Sequence, residues 1–141
     1  LINLYPENKN TIENRLNRLE KYLSRYTPRI AFLGIGKDGH TAGIFNNNKT
    51  NNNCYLLKNN MEPYHRITIS MSVLMKIPYI IFFVLGIEKK ESLENILINN
   101  NFDKFVPARF LLKNGLAQKI ILCDQQAAPD KFDIGESIID L

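Results

Sequence analysis

The chain has 141 residues, 45% hydrophobic and 23% charged, with 18 Lys and Arg against 14 Asp and Glu for a formal net charge of +4. That is about one domain's length with enough apolar material for a core, and its basic residues are scattered, with no block of five or six. Small anionic ligands are therefore favoured over a nucleic-acid groove, and no apolar stretch reaches the roughly 18 residues of a membrane span, so neither nucleic acid nor a membrane is an expected partner.

Cys54 and Cys123 stand far apart, without the spacing of a metal site or a disulfide framework, and a reducing, cytoplasmic setting is the simpler expectation. The chain starts at Leu1 rather than Met and shows no basic-then-apolar leader, which leaves open a preceding segment.

Ile12, Leu16, Leu19, Leu23 and Tyr26 fall on one helical face and predict a helix over 11–26, ended by Pro28. Arg29 to Gly34 then reads as a buried parallel-type strand, since both its faces are apolar. The polar run 46–53, rich in Asn, reads as a surface loop insertion. Beyond it, Arg66–Ser70 is a short strand, Ser72–Lys76 a helical turn stopped by Pro78, and Tyr79–Gly86 a continuous apolar strand. Glu88–Ile98 is an amphipathic helix with Leu93, Ile96 and Leu97 inward; Pro107–Lys113 is a helix with proline in its first turn; Lys119–Cys123 is a third buried strand. Asp124 reads as a cap for Gln125–Ala128. Strands alternating with helices predict a single α/β domain over 1–141. Its sheet is mainly parallel with helices on both faces, a Rossmann-like three-layer arrangement whose ligands collect at the carboxyl ends of the strands.

The stretch Gly34-Ile-Gly36-Lys-Asp-Gly39 has the glycine spacing of a dinucleotide loop, but no long helix follows and no acidic residue stands about 20 residues on. The phosphate-loop reading is weaker still, because no Ser or Thr follows Lys37 and the glycine spacing is wrong. The alternative is a catalytic loop: glycines turn the chain sharply at a strand end and present Asp38 and His40. Its N–H groups, opening a short helix over 40–45, would point donors at an anion or an oxyanion. A plain tight turn without chemistry also accounts for the Asp and Gly residues.

More than the turn is informative. Leu33-Gly-Ile-Gly-Lys-Asp-Gly-His-Thr-Ala-Gly-Ile-Phe45 resembles the Leu-Gly-x-Gly-x-Asp-Gly-His-Thr-Ala-Ser-Leu-Phe motif of the 6-phosphogluconolactonases, within the glucosamine-6-phosphate isomerase/6-phosphogluconolactonase superfamily. Arg66-Ile-Thr-Ile-Ser70, the segment 82–93, Pro107-Ala-Arg109 and the segment 119–128 resemble further blocks in the family's order. Gly43 and Asn46 depart from it, where serine and proline are usual. The chain resembles the carboxyl-terminal portion of the family's domain, lacking the amino-terminal part.

The resemblance implies hydrolysis of 6-phospho-D-glucono-1,5-lactone to 6-phosphogluconate, a step of the oxidative pentose phosphate pathway, with neither metal nor organic cofactor. His40 is then the general base and Asp38 its orienting carboxylate. Gly36, Lys37, Gly39, Thr41, Arg66 and Lys89 are the expected substrate contacts, with Arg66 and Lys89 the cations facing the phosphate. Two isolated histidines and two separate cysteines make no zinc set. The partner expected is a phosphorylated sugar lactone, with fusion to or association with glucose-6-phosphate dehydrogenase as a further expectation. Two alternatives stay open: a glucosamine-6-phosphate deaminase or isomerase of the same superfamily, and a catalytically silent sugar-phosphate-binding fragment.

Overall fold

A computed structural model describes residues 12–45, 50–57, 65–98 and 105–130. The elements run α1 Ile12–Arg25, β1 Ile30–Gly34, β2 Cys54–Leu57, β3 Arg66–Ile69, α2 Met71–Leu74, β4 Tyr79–Val84, a 3-10 turn Ile87–Lys89, α3 Lys90–Leu97, α4 Pro107–Lys113 and β5 Gln118–Cys123. Strands β1, β4 and β5 form a parallel sheet in the order β1-β4-β5, and β2 and β3 form a separate antiparallel pair.

The apolar runs become strands because one face of each can be buried. Ala31, Ile80, Phe82 and Val84 share a core with Leu74 and Ile77 from α2 and its exit, Leu93 and Ile96 from α3, and Ala108 and Leu111 from α4. Full burial of Phe82 contributes about 2–3 kcal/mol. All three helices lie on one side, and chirality explains why. Both crossovers, β1 to β4 and β4 to β5, advance across the sheet in one direction, and right-handed connections advancing together place their helices on one face.

Three expectations change. Strand β1 is not buried on both sides: Ile30 and Phe32 point outward, because no described helix covers that face. Likewise β5 is half-buried along its length, since it is an edge strand. And the strand at 66–69 is no member of the parallel sheet; it pairs antiparallel with β2, a strand the sequence reading did not delimit, while residues 46–49 of the Asn-rich segment lie outside the described residues.

Helix α1 packs on this antiparallel pair, where Leu16, Leu19 and Leu23 meet Cys54, Val73 and Ile69. Glu20 ties the contact together: its carboxylate accepts from the backbone N–H of Asn53 (2.9 Å), from the Asn53 amide (2.7 Å) and from the N–H of Cys54 (3.1 Å). The helix ends at Arg25, three residues before Pro28, which disfavours helical backbone in the residue it follows.

Candidate active site

Strand β1 ends at Gly34, and the chain then turns within six residues. The Gly39 N–H donates to the Gly36 carbonyl and the Gly36 N–H to the His40 carbonyl, both at 2.9 Å, with Gly39 at φ +79°. This folds residues 36–40 into a closed loop with Asp38 and His40 on one side. A side-chain carboxylate two residues ahead is well placed for such a turn, and Asp38 Oδ1 accepts from the His40 N–H at 3.2 Å.

The same oxygen lies 2.5 Å from His40 Nδ1. Burial alone would raise the Asp38 carboxyl, but hydrogen bonds from the His40 ring and backbone, with the charge of the ring, hold it below the ordinary carboxylate range. Asp38 is therefore ionised and can only accept, so Nδ1 carries the proton of the neutral ring and Nε2 its lone pair. The Phe45 ring packs on the imidazole with centroids 4.3 Å apart.

Three elements hold the loop. Ser92 on α3 donates its hydroxyl proton to the Gly36 carbonyl at 2.8 Å, and the first turn of α4 donates the Ala108 N–H to the Gly39 carbonyl at 3.0 Å. The third is β3, whose Thr68 hydroxyl accepts from the Gly43 N–H at 3.0 Å. The short helix expected over 40–45 is instead a tight turn: Thr41 bridges to Ile44 and Ala42 takes φ +52°, because Gly43 bonds to β3 rather than continuing a helix.

Of the candidate residues, Asp38, His40, Gly36 and Gly39 meet in this loop, and Lys37 stands exposed on it. Thr41 points inward: it is fully buried and its hydroxyl donates to the Gly34 carbonyl at 2.9 Å. Lys89 closes the 3-10 turn after β4, at the same end of the sheet as the loop, since Gly34 pairs with Phe83. Arg66 lies two residues before Thr68 and so on the same face of β3.

Asp124 accepts the Ala127 N–H at 2.9 Å, as a cap would, though residues 125–128 form a turn rather than a helix; its carboxylate also accepts the Gly86 N–H at 3.0 Å. Ser92, Thr68 and Phe45 had drawn no role from the sequence. A serine immediately before the inward Leu93 was the one available signal for Ser92. Among the described residues no group of three or more His, Cys, Asp and Glu side chains could hold a metal ion, and no helix is long and apolar enough to cross a membrane.

Comparison with known proteins matches residues 2–121 to the family of glucosamine-6-phosphate isomerases/6-phosphogluconolactonase. Two relatives are the 6-phosphogluconolactonases of Helicobacter pylori strains. One is 35% identical over 78 residues, covering 52% of this chain and 34% of the relative, and the other 32% identical over 106 residues, covering 70% and 45%. Among solved structures, 6-phosphogluconolactonase from Thermotoga maritima superposes with a TM-score of 0.65 at 26% identity, over 81% of this chain and 52% of that one. The chain thus spans between about a third and a half of the length of these relatives.

Proposed function

The chain belongs to the glucosamine-6-phosphate isomerase/6-phosphogluconolactonase family, and we propose that it carries the acid–base centre of an enzyme that hydrolyses 6-phospho-D-glucono-1,5-lactone to 6-phosphogluconate. The observation that carries this reading is the Asp38–His40 pair: an ionised carboxylate on Nδ1 leaves the basic nitrogen Nε2 at the carboxyl end of β1.

Lactone hydrolysis asks for little else in proton chemistry. A water held at Nε2 gives up its proton as its oxygen attacks the lactone carbonyl, the ring C–O bond then breaks, and the proton on His40 passes to the departing ring oxygen. The products are a carboxylic acid, ionised at neutral pH, and a free hydroxyl. The Gly36, Gly39 and His40 N–H groups are bonded within the loop, so the transient oxyanion draws on other donors at this end of the sheet. Lys37, Lys89 and Arg66 are the cations assigned to the substrate's phosphate, a dianion that binds best to charge-assisted donors. Thr41 acts on the site from behind, through the Gly34 carbonyl.

The test follows acid release from freshly generated lactone, corrected for spontaneous hydrolysis, on the protein that contains this chain and on its His40→Ala variant. A rate that survives the substitution removes His40 as base. Ammonia release from glucosamine 6-phosphate in place of lactone hydrolysis moves the chain to the deaminase branch.

A further inference from the structure

The chain leaves the 36–40 loop through a tight turn where a short helix was the local alternative. In a helix the Gly43 N–H would donate to the carbonyl of the residue four back, Gly39. Here the Gly39 carbonyl accepts Ala108 instead, and the Gly43 N–H crosses to Thr68 Oγ1 at 3.0 Å. Thr68 is buried, and its hydroxyl gives its own proton to the Ile69 carbonyl at 3.1 Å, which leaves its lone pairs for Gly43.

The turn is held against local preference. Ala42 takes φ +52°, a left-handed conformation in which a residue with a side chain persists only where its surroundings over-determine it. The peptide that follows Ala42 carries the very N–H that Thr68 accepts. At its far end the turn delivers Phe45 to the His40 imidazole, with ring centroids 4.3 Å apart and planes inclined at 31°. Gly43 fits for want of a side chain: a methyl there would stand 2.9 Å from Leu57 Cδ1 and 3.0 Å from Thr68 Cβ. Leu57 lies across from Arg66, and Tyr55 across from Thr68, so these four share the face of the β2–β3 pair against which Gly43 packs.

We propose that Thr68 is a positioning residue for the hydrolysis assigned above, an inference that rests on that reading. By accepting the Gly43 N–H it selects the turn over the helix, and the turn keeps Phe45 on the His40 ring and so fixes the direction of Nε2. Glycine at position 43, where the family usually has serine, is the counterpart of Thr68 and Leu57 packing this close. Thr68 acts only through the backbone, since its hydroxyl is engaged with Gly43 and Ile69.

A split between rate and affinity follows. Arg66, the cation assigned to the phosphate on this strand, is held by the pairing of β3 with β2 whichever shape residues 41–45 take. Loss of the turn therefore lowers kcat and leaves KM nearly unchanged.

The experiment makes Thr68→Val and Thr68→Ser in the protein that contains this chain. Valine keeps the shape without the hydroxyl; serine keeps the hydroxyl. Thr68→Val should lower kcat roughly 10-fold, part of the roughly 100-fold that a displacement of about 1 Å costs, with KM within about 2-fold of wild type. Thr68→Ser should recover most of that loss. The His40 ring protons feel the ring current of Phe45, and in Thr68→Val their NMR shifts should move toward those of Phe45→Leu. Thr68→Ser should leave them in place. If Thr68→Val does not fold, Gly43→Ala takes over, since its methyl presses on Leu57 and Thr68. Its kcat should fall several-fold and be restored by adding Leu57→Ala.

A Thr68→Val protein with unchanged kcat or unmoved His40 resonances overturns the proposal. So does a raised KM at constant kcat, equal losses in Thr68→Val and Thr68→Ser, or a Gly43→Ala loss that Leu57→Ala does not correct. A wild-type protein without lactone hydrolysis refutes the lactonase reading alone, because the ring shifts still decide whether Thr68 places His40.

Discussion

The Cα of Gly36 lies under the imidazole of His40, so close that a methyl group there would stand 2.1 Å from Nδ1, 2.2 Å from Cε1 and 2.7 Å from the Asp38 carboxylate. Glycine is required at this position for space, since only absence of a side chain lets the Asp38–His40 pair rest on the backbone. Gly36→Ala should push the ring aside by about 1 Å and lower lactone hydrolysis roughly 100-fold. Gly39→Ala acts elsewhere: at φ +79°, with Val106 Cγ1 2.4 Å from the added methyl, it should cost about 1–3 kcal/mol of stability. Steady-state rates beside urea denaturation of both variants separate the two effects, and equal losses of both kinds would refute the distinction.

His40→Gln should reduce kcat by about 10²- to 10⁴-fold, the usual contribution of a positioned base. Asp38→Asn tests the tautomer. An asparagine amide can donate to Nδ1, which would move the ring proton to Nε2 and remove the lone pair from the side that meets water. The expected outcome is a reduced kcat with KM nearly unchanged. Ring nitrogen NMR shifts of His40 should report the change of tautomer directly, and an unaltered tautomer with full activity would remove Asp38 from the mechanism.

Ser92→Ala leaves the Gly36 carbonyl without its hydroxyl donor in a buried setting. Loss of about 1–2 kcal/mol of stability is expected. Because the carbonyl belongs to the loop under His40, kcat should fall with it. Ser92→Thr keeps the hydroxyl and should recover kcat more fully than Ser92→Ala; two variants with identical kcat would reduce Ser92 to a packing residue.

Glu20 gives the fold an acid-sensitive clamp. Burial pushes its carboxyl up, but hydrogen bonds from the Asn53 and Cys54 backbone N–H groups, with those from their side chains, outweigh this and leave it lowered. A depressed carboxyl contributes stability that is fully present above its unfolded value, near 4.5, and is lost as pH falls through the lower folded value. Glu20→Gln should therefore be less stable than wild type near pH 7 and converge on it in strong acid. Denaturation midpoints between about pH 2 and 7 read this out, and parallel curves for the two proteins would rule it out.

The thiol of Cys54 is buried between α1 and β2, and burial with the neighbouring Glu20 charge pushes it up to about 12. At pH 8 only about one molecule in 10⁴ would carry the thiolate. Iodoacetamide should leave Cys54 untouched in the folded protein and label it on denaturation. Rapid labelling of Cys54 under native conditions would show that α1 opens from the β2–β3 pair.

The amino-acid sequence determined the elements whose cause is local. Apolar period and proline placed α1, β4 and α4, and the Asp-Gly-His turn between glycines at a strand end made Asp38 and His40 candidates that the resemblance of the surrounding motif then favoured over a plain turn. What it left undetermined depends on which surfaces meet across long separations. An apolar strand reads the same whether one face or two are covered, so β1 looked buried until the winding of the crossovers left Ile30 and Phe32 outside. Cys54–Leu57 is too short to announce itself and becomes a strand through its pairing with Arg66–Ile69. Thr41 reads as an open contact of the motif, yet its hydroxyl turns inward to Gly34. The bond from Ser92 to Gly36 spans 56 residues and has no periodic trace. Sequence offered Asp38 and His40 as the candidate pair; only the packing of α3, α4 and β3 around the loop decided its geometry, because a hydrogen bond between distant residues exists only once the core has brought its elements together.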